Sequence, residues 1–224
     1  MARLARVVVP RIPHHITQRG NRRQRTFWSD KDYRSYIELM AEWCRKCGVE
    51  IWAYVLMPNH VHLIAVPERG ESLGRAIGEA HRRYTRYLNF RKRWRGYLWQ
   101  GRFASFPMDG AHALAASRYI EMKPVKARLA RYPTQYRWSS ARAHMLGADD
   151  GLVKSAPLLE MAGDWKAFLG RAVEREVIDR LLRHERTGRP LGDDRFMRRV
   201  ERATGRILRK MKPGRKPRNH GRGK

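Results

Sequence analysis

Apolar and polar positions along the first two thirds of the chain follow two periods, one of strands and one of helices. "HHITQRG" (His14 to Gly20) alternates and predicts a short first strand, followed by the basic loop "GNRRQRT". Asp30 suits the N-cap of a helix running through Cys47. Tyr33, Tyr36, Ile37, Met40 and Trp43 recur there at helical spacing, and Gly48 is the stop. "VEIWAYVLM" (Val49 to Met57) and "HVHLIAV" are β-rich runs separated by Pro58–Asn59, which predicts an antiparallel hairpin. Ser72 suits the cap of a helix through "SLGRAIGEAHRRYTRYLNFRKRW". A fourth strand falls near Phe103 to Met108, and Asp109 or Gly110 opens the helix "AHALAASRYIEMK", stopped by Pro124.

That order of elements predicts an α+β fold. It is a ferredoxin-like, split βαβ antiparallel sheet with helices on one face and one added helix. After about Ala148 the pattern changes. "LLEMAGDWKAFLGRAVEREVIDRLLRHERTG" reads as helical, and a capped helix starts near Asp193 and ends at Gly205. The expected organisation is an α+β domain over 1–148, a helical C-terminal extension over 149–209 and a disordered basic tail over 210–224. The tail carries seven Lys/Arg and no acid, and is too rich in Gly and Pro to bury a core.

Charge points to a partner. Lys+Arg number 49 against Asp+Glu 21, a formal net charge of +28. A polyanion rewards such a surface through counterion release, so nucleic acid is the expected partner, ahead of anionic lipid. No apolar run approaches the roughly 18 residues of a membrane-spanning helix. The two cysteines, Cys44 and Cys47, make one "CRKC" pair on a predicted helix, which reads as idle thiols in a reducing compartment.

The hairpin's second strand opens with His60 and His62. Side chains alternate on a strand, so the two imidazoles share a face with Ile64 and Val66. Both can reach one ion, and they supply two of the ligands that a working metal site needs. On a basic protein, such a pair suggests chemistry on phosphodiesters, where a cation polarises a phosphoryl oxygen. No H-E-x-x-H motif supports a zinc hydrolase. A nucleophile is also needed. No G-x-S-x-G motif offers a serine, which leaves tyrosine, with Tyr84, Tyr87 and Tyr119 all candidates.

"LMPNHVHLIAVP", "HRRYTRYLNFR", "LWQGRFASFPMD" and "RYIEMKPVKARLARYPTQYRWSSARAH" together resemble the REP-associated tyrosine transposases, relatives of the single-tyrosine HUH transposases with an IS200-like domain. The resemblance spans roughly Arg11 to His144, and "TGRPLGDDRFMRRVERATGR" is similar to C-terminal parts of such proteins. It implies a DNA nicking and strand-transfer enzyme with Tyr119 as nucleophile, His60 and His62 as metal ligands, and Mg2+ or Mn2+ as cofactor. It also implies a 5′-phosphotyrosine intermediate, with a single-stranded or hairpin DNA partner from a repetitive extragenic palindrome. A cytoplasmic, nucleoid-associated protein acting as a monomer rather than a homodimer follows from the same resemblance.

One position departs from the family pattern. Lys123 stands four residues after Tyr119, where the family has Asn or Gln that helps hold the metal. An ammonium has donors and no acceptor, so it does not ligate a cation. Two consequences are open: Lys123 favours the Tyr119 phenolate or neutralises phosphate charge, or it marks a weakened copy that binds hairpins without cutting. Candidate DNA contacts are Asn21, Arg22 and Arg23 in the first basic loop, and Arg82, Arg83 and Arg86 on the second helix. Gln100, Arg102 and Lys126 complete the set. Deleting Lys210 to Lys224 should lower DNA affinity and flatten its salt dependence while leaving hairpin preference intact, as read by binding titrations at several salt concentrations. An unchanged salt slope would show that the tail does not touch DNA.

Overall fold

The computed structural model describes residues 5–172 and 174–209; the basic tail lies outside them. β1 (His14–Arg19), α1 (Asp30–Cys47), β2 (Val49–Met57), β3 (His60–Pro67), α2 (Ser72–Lys92), β4 (Ala104–Pro107) and α3 (Gly110–Glu121) follow in the expected sequence. The sheet order is β2-β3-β1-β4 with every neighbour antiparallel, the arrangement of a split βαβ fold. Met57 pairs with His60 across the Pro58–Asn59 turn, so the hairpin closes where the dipeptide predicts. Ser29, rather than Asp30, is the N-cap of α1. It forms a capping box with Asp32, whose carboxylate accepts from the Trp28 and Ser29 backbone amides.

Helices cover both faces of the sheet, which corrects the expectation of one. α1 and α2 pack on the face that presents Ile16, Tyr54, Leu56, Val61 and Leu63. α3 packs on the other, against Ala53, Val55, Ile64 and Phe106. The reason lies in the strands. "VEIWAYVLM" and "HVHLIAVP" are apolar on successive residues, and a strand that buries both faces needs a layer on each.

Beyond α3 the chain forms α4 (Lys123–Lys126), α5 (Ala141–Leu146), α6 (Ala156–Ala162), α7 (Trp165–Gly170), α8 (Arg175–Thr187) and α9 (Asp194–Thr204). The long helical stretch expected after Ala148 is therefore three helices. Gly163, at a left-handed φ of 68°, ends the first of them. The α6–α8 helices pack into the core beneath α3, and α9 clamps the N-terminal residues Val7, Val9 and Ile12 through Phe196 and Val200. Irregular chain seals both sheet edges. The Trp138 carbonyl accepts from the Leu56 amide beside β2, and the Leu191 amide donates to the Pro107 carbonyl beside β4.

α3 is tied down by a buried carboxylate. Glu121 is fully buried. Its Oε1 accepts from Ser140 Oγ at 2.5 Å and from His144 Nδ1 at 2.6 Å, and its Oε2 accepts from Trp165 Nε1 at 3.1 Å. One side chain thus joins α3 to α5 and α7. Glu121→Ala should lower stability by about 3 kcal/mol or more, since it strands three buried donors; Glu121→Gln keeps one acceptor oxygen and should lose less. Urea unfolding reads both. An unchanged midpoint in Glu121→Ala would mean that apolar packing alone holds α3.

Candidate active site

The register of β1 against β3 assembles the site. Thr17 lies opposite His62, and Arg19 opposite His60, so His15, Arg19, His60 and His62 emerge on the α3 face. The His60 and His62 ring centroids are 5.2 Å apart with their planes at 80°. Tyr119, 7% exposed on α3, sets its ring 6.3 Å from that of His62. Lys123 Nζ donates to the Tyr119 hydroxyl at 3.1 Å and lies 4.5 Å from the centre of its ring. The i,i+4 spacing holds although α3 ends at Glu121, because α4 continues the same turn.

Neighbouring contacts settle how His60 is oriented. Asn59 Nδ2 donates to the Arg23 carbonyl at 3.1 Å, which turns Asn59 Oδ1 toward His60 Nδ1 at 2.7 Å. An amide oxygen only accepts, so His60 carries its proton on Nδ1 and leaves Nε2 with a lone pair. His62 Nδ1 faces His15 Nε2 at 3.0 Å in a stacked pair. For His62 Nε2 to act as a ligand, Nδ1 must donate to His15. That puts the His15 proton on its own Nδ1, a buried atom with no partner, at a cost of about 1–3 kcal/mol.

Burial dominates the electrostatics. It pushes His60 down to about 3, with the Lys123 and Arg19 charges adding to the effect, and His62 well below the ordinary imidazole value. Both imidazoles are therefore neutral, the form that ligates metal. Their donor chemistry fits a divalent cation. Among the described residues no group of three or more His, Cys, Asp or Glu side chains is arranged to hold a metal ion. Burial also raises Tyr119 to about 12, helped by the Glu185 carboxylate, and lowers Lys123 to about 8. The net shift of the phenol is thus upward, away from the phenolate, and burial is its largest cause.

The competing tyrosines lie elsewhere. Tyr84 is fully buried on the α1–α2 face and donates to the Thr26 carbonyl at 2.7 Å; Tyr87 is partly buried on the same side. Cys44 and Cys47 are free thiols in that core, and burial pushes Cys44 up to about 12.

The basic candidates separate into groups. Asn21, Arg22 and Arg23 form a turn bolted to the histidine hairpin, where Gly20 donates to the Asn59 carbonyl at 2.9 Å. A Cβ at Gly20 would lie 2.2 Å from the Gln24 carbonyl oxygen, so only glycine fits there. Arg22 and Arg23 adopt left-handed φ values of 51° and 61°, unusual for residues with a Cβ. Gln100 donates from its backbone to the Arg19 carbonyl, Arg102 lies two residues on, and Lys126 Nζ is 5.9 Å from the Tyr119 ring centre. Arg82, Arg83 and Arg86 sit on α2, across the sheet from the histidines. Arg82 and Arg83 both pair with Glu79.

Four site residues escape the sequence reading: His15, Arg19, Asn59 and Glu185. The alternation of "HHITQR" puts His15 with Thr17 and Arg19, but only the pairing register shows that this face meets His60 and His62. Glu185 comes from α8, a helix with no sequence mark of proximity to the site.

Comparison with known proteins agrees with this architecture. The structure resembles that of the REP-associated tyrosine transposase bound to a REP hairpin, with 19% identity, a TM-score of 0.57, and coverage of 69% of this chain and 92% of the other. A weaker likeness, with 20% identity and a TM-score of 0.38, covers 54% of this chain and 96% of a Deinococcus radiodurans R1 protein described as a transposase. No match was found among curated proteins. The model of the IS200-like transposases matches residues 8–123, a span that holds the histidine pair, Tyr119 and Lys123. The chain belongs to the IS200-like transposase family.

Proposed function

We propose that this transposase cuts and rejoins single-stranded DNA beside a hairpin of a repetitive extragenic palindrome, using Tyr119 as the nucleophile. The observation that carries the reading is the Tyr119 hydroxyl, held by Lys123 on the sheet face that presents His60 and His62. The fold likeness to a REP-associated transposase that binds such a hairpin supports the choice of DNA.

Tyr119 Oη forms a bond to phosphorus as the bond to the 3′ oxygen breaks, leaving a 5′-phosphotyrosine link and a strand that ends in a free 3′ hydroxyl. The phenol proton passes to Lys123 Nζ when that amine is neutral, over the 3.1 Å contact. The departing 3′ oxygen takes a proton from solvent. In the return step a 3′ hydroxyl attacks the phosphotyrosine and gives its proton to solvent, the Oη–phosphorus bond breaks, and the Lys123 ammonium returns the proton to Tyr119. One phosphodiester replaces another, so no external energy source is needed. His60 and His62 would hold Mg2+ or Mn2+ through their Nε2 atoms, and the ion would there supply charge to polarise the phosphoryl oxygen and stabilise the leaving oxygen. Arg19, opposite His60, adds a fixed positive charge at the same place. His15 and Asn59 orient the two imidazoles.

Incubation with a labelled hairpin oligonucleotide and Mg2+ or Mn2+ should give a covalent protein–DNA adduct on a denaturing gel, lost in Tyr119→Phe and in His62→Ala. Hairpin binding without an adduct under either metal would favour a binding protein of the same fold, the outcome that the lysine in place of an amide keeps open.

The pH dependence has a definite sign. Lys123 is lowered to about 8, so its neutral fraction grows about tenfold per pH unit below that value and levels off above it. The rate of adduct formation should follow that curve in the wild type, and the inflection near 8 should vanish in Lys123→Asn. Identical pH profiles for the two proteins would remove the proton-acceptor role.

A further inference from the structure

A groove of about 310 Å³ runs along α2 beside the 98–103 loop, and Arg6, Gly74, Gly78, Trp99 and Arg102 contribute to its walls. Arg6 and Arg102 also line the next cleft toward α8, and Arg102 lines a third with Thr17, Arg19 and Gln100. Arg102 lines all three, so the clefts adjoin in a row from α2 past the four-residue edge strand β4 to Arg19, opposite His60; this row is the trench.

The trench brings two guanidinium groups, those of Arg6 and Arg102, to the same walls. Arg6 stacks on the Phe103 ring at 3.6 Å and donates to the Phe103 carbonyl at 3.0 Å, so its plane is fixed. Burial and the nearby Arg102 charge both disfavour its protonated form. Among the described residues neither Arg6 nor Arg102 forms an ion pair, although carboxylates elsewhere pair readily with arginine. Glu185 lines the neighbouring cleft without closing on Arg102 to ion-pair distance. The chain also invests in holding Arg6 there. Val7 and Val9 pack on Phe196 and Val200 of α9, and Arg206 donates to the Ala5 carbonyl at 3.0 Å. Two like charges held together in a groove call for an anion between them.

We propose that Arg6 and Arg102 form a phosphate clamp for the single-stranded DNA segment flanking the hairpin, seating it in the trench that ends at Arg19, on the sheet face that carries His60 and His62. The proposal rests on the strand-transfer reading given under the proposed function, and it adds the path of the strand. Gly74 and Gly78 agree with it. Glycine weakens a helix interior relative to alanine, yet neither residue has a left-handed φ. A Cβ would meet nothing within 4 Å at Gly78, and only an Arg6 nitrogen at 4.0 Å at Gly74. A strand lying along α2 accounts for the bare helix surface where internal packing does not.

The test compares two oligonucleotides, a blunt hairpin and the same hairpin with a single-stranded extension. Binding is measured without metal, in a full-length Tyr119→Phe background, so that cleavage plays no part. The tailed hairpin should bind more tightly than the blunt one. Arg6→Gln combined with Arg102→Gln should reduce affinity for the tailed hairpin by about tenfold or more and leave the blunt hairpin within about twofold. The salt slope for the tailed hairpin should fall by about 0.7 for each phosphate that the variant no longer neutralises. Gly78→Leu should raise the melting temperature and weaken only the tailed complex, a pair of opposite changes that loss of folding cannot produce. Equal effects on both oligonucleotides, or none on the tailed one, overturn the clamp and leave the nucleophile assignment standing. Failure of the parent protein to bind either DNA overturns the clamp together with the function on which it rests.

Discussion

The antiparallel register of β1 against β3 is the constraint on which the rest depends. It sets Arg19 across from His60 and Thr17 across from His62, and leaves His15 stacked on His62. A slip of one residue would turn β1's contribution to the opposite face, taking His15 and Arg19 away from the histidine pair. Two features hold the register. The Pro58–Asn59 turn fixes the end of β3, and the Gly20 amide donates to the Asn59 carbonyl at 2.9 Å, which fixes the end of β1 against it. Glu121 then fixes the third component, since α3 brings Tyr119 over that face and the buried carboxylate ties α3 to α5 and α7.

Burial gives this arrangement its chemical character. It keeps His60 and His62 neutral, raises the Tyr119 phenol and lowers the Lys123 amine. The phenol and the amine face each other across a 3.1 Å contact. Lys123 standing where the family resemblance leads one to expect an amide bears on what the position can do: an amide can ligate, whereas a neutral amine beside a phenol can take a proton. Glu185, reaching in from α8, acts on both groups at this corner. It makes the phenolate harder to form and favours the ammonium.

Much of the fold was legible in the chain. The strand alternation, the Pro58–Asn59 turn and the caps at Asp109 and Asp193 act over a few residues, and the four strands and the first three long helices fall close to their predicted places. The histidine pair was legible for the same reason, since the strand period puts His60 and His62 on one face. Contacts distant in sequence were not. The second helical layer follows from strands buried on both sides, a property that an apolar run shares with a buried helix segment. Choosing Tyr119 over Tyr84 on residues alone requires knowing which sheet face each helix covers; here it came from family resemblance, and the structure places Tyr84 on the opposite face. His15, Arg19 and Glu185 depend on register and on tertiary packing, which no local pattern encodes.

The C-terminal helices are part of the machinery of this reading. α8 delivers Glu185 to the site, and α9 anchors the N-terminal segment that carries Arg6. The most direct measurement of the central claim is tandem mass spectrometry of the protein trapped with a hairpin substrate and digested to peptides. The account predicts a nucleotide remnant joined through a 5′-phosphate to Tyr119, within the peptide that contains Tyr119-Ile120-Glu121. A remnant on Tyr84, Tyr87 or any other residue, or a 3′-phosphate linkage to Tyr119, would contradict it.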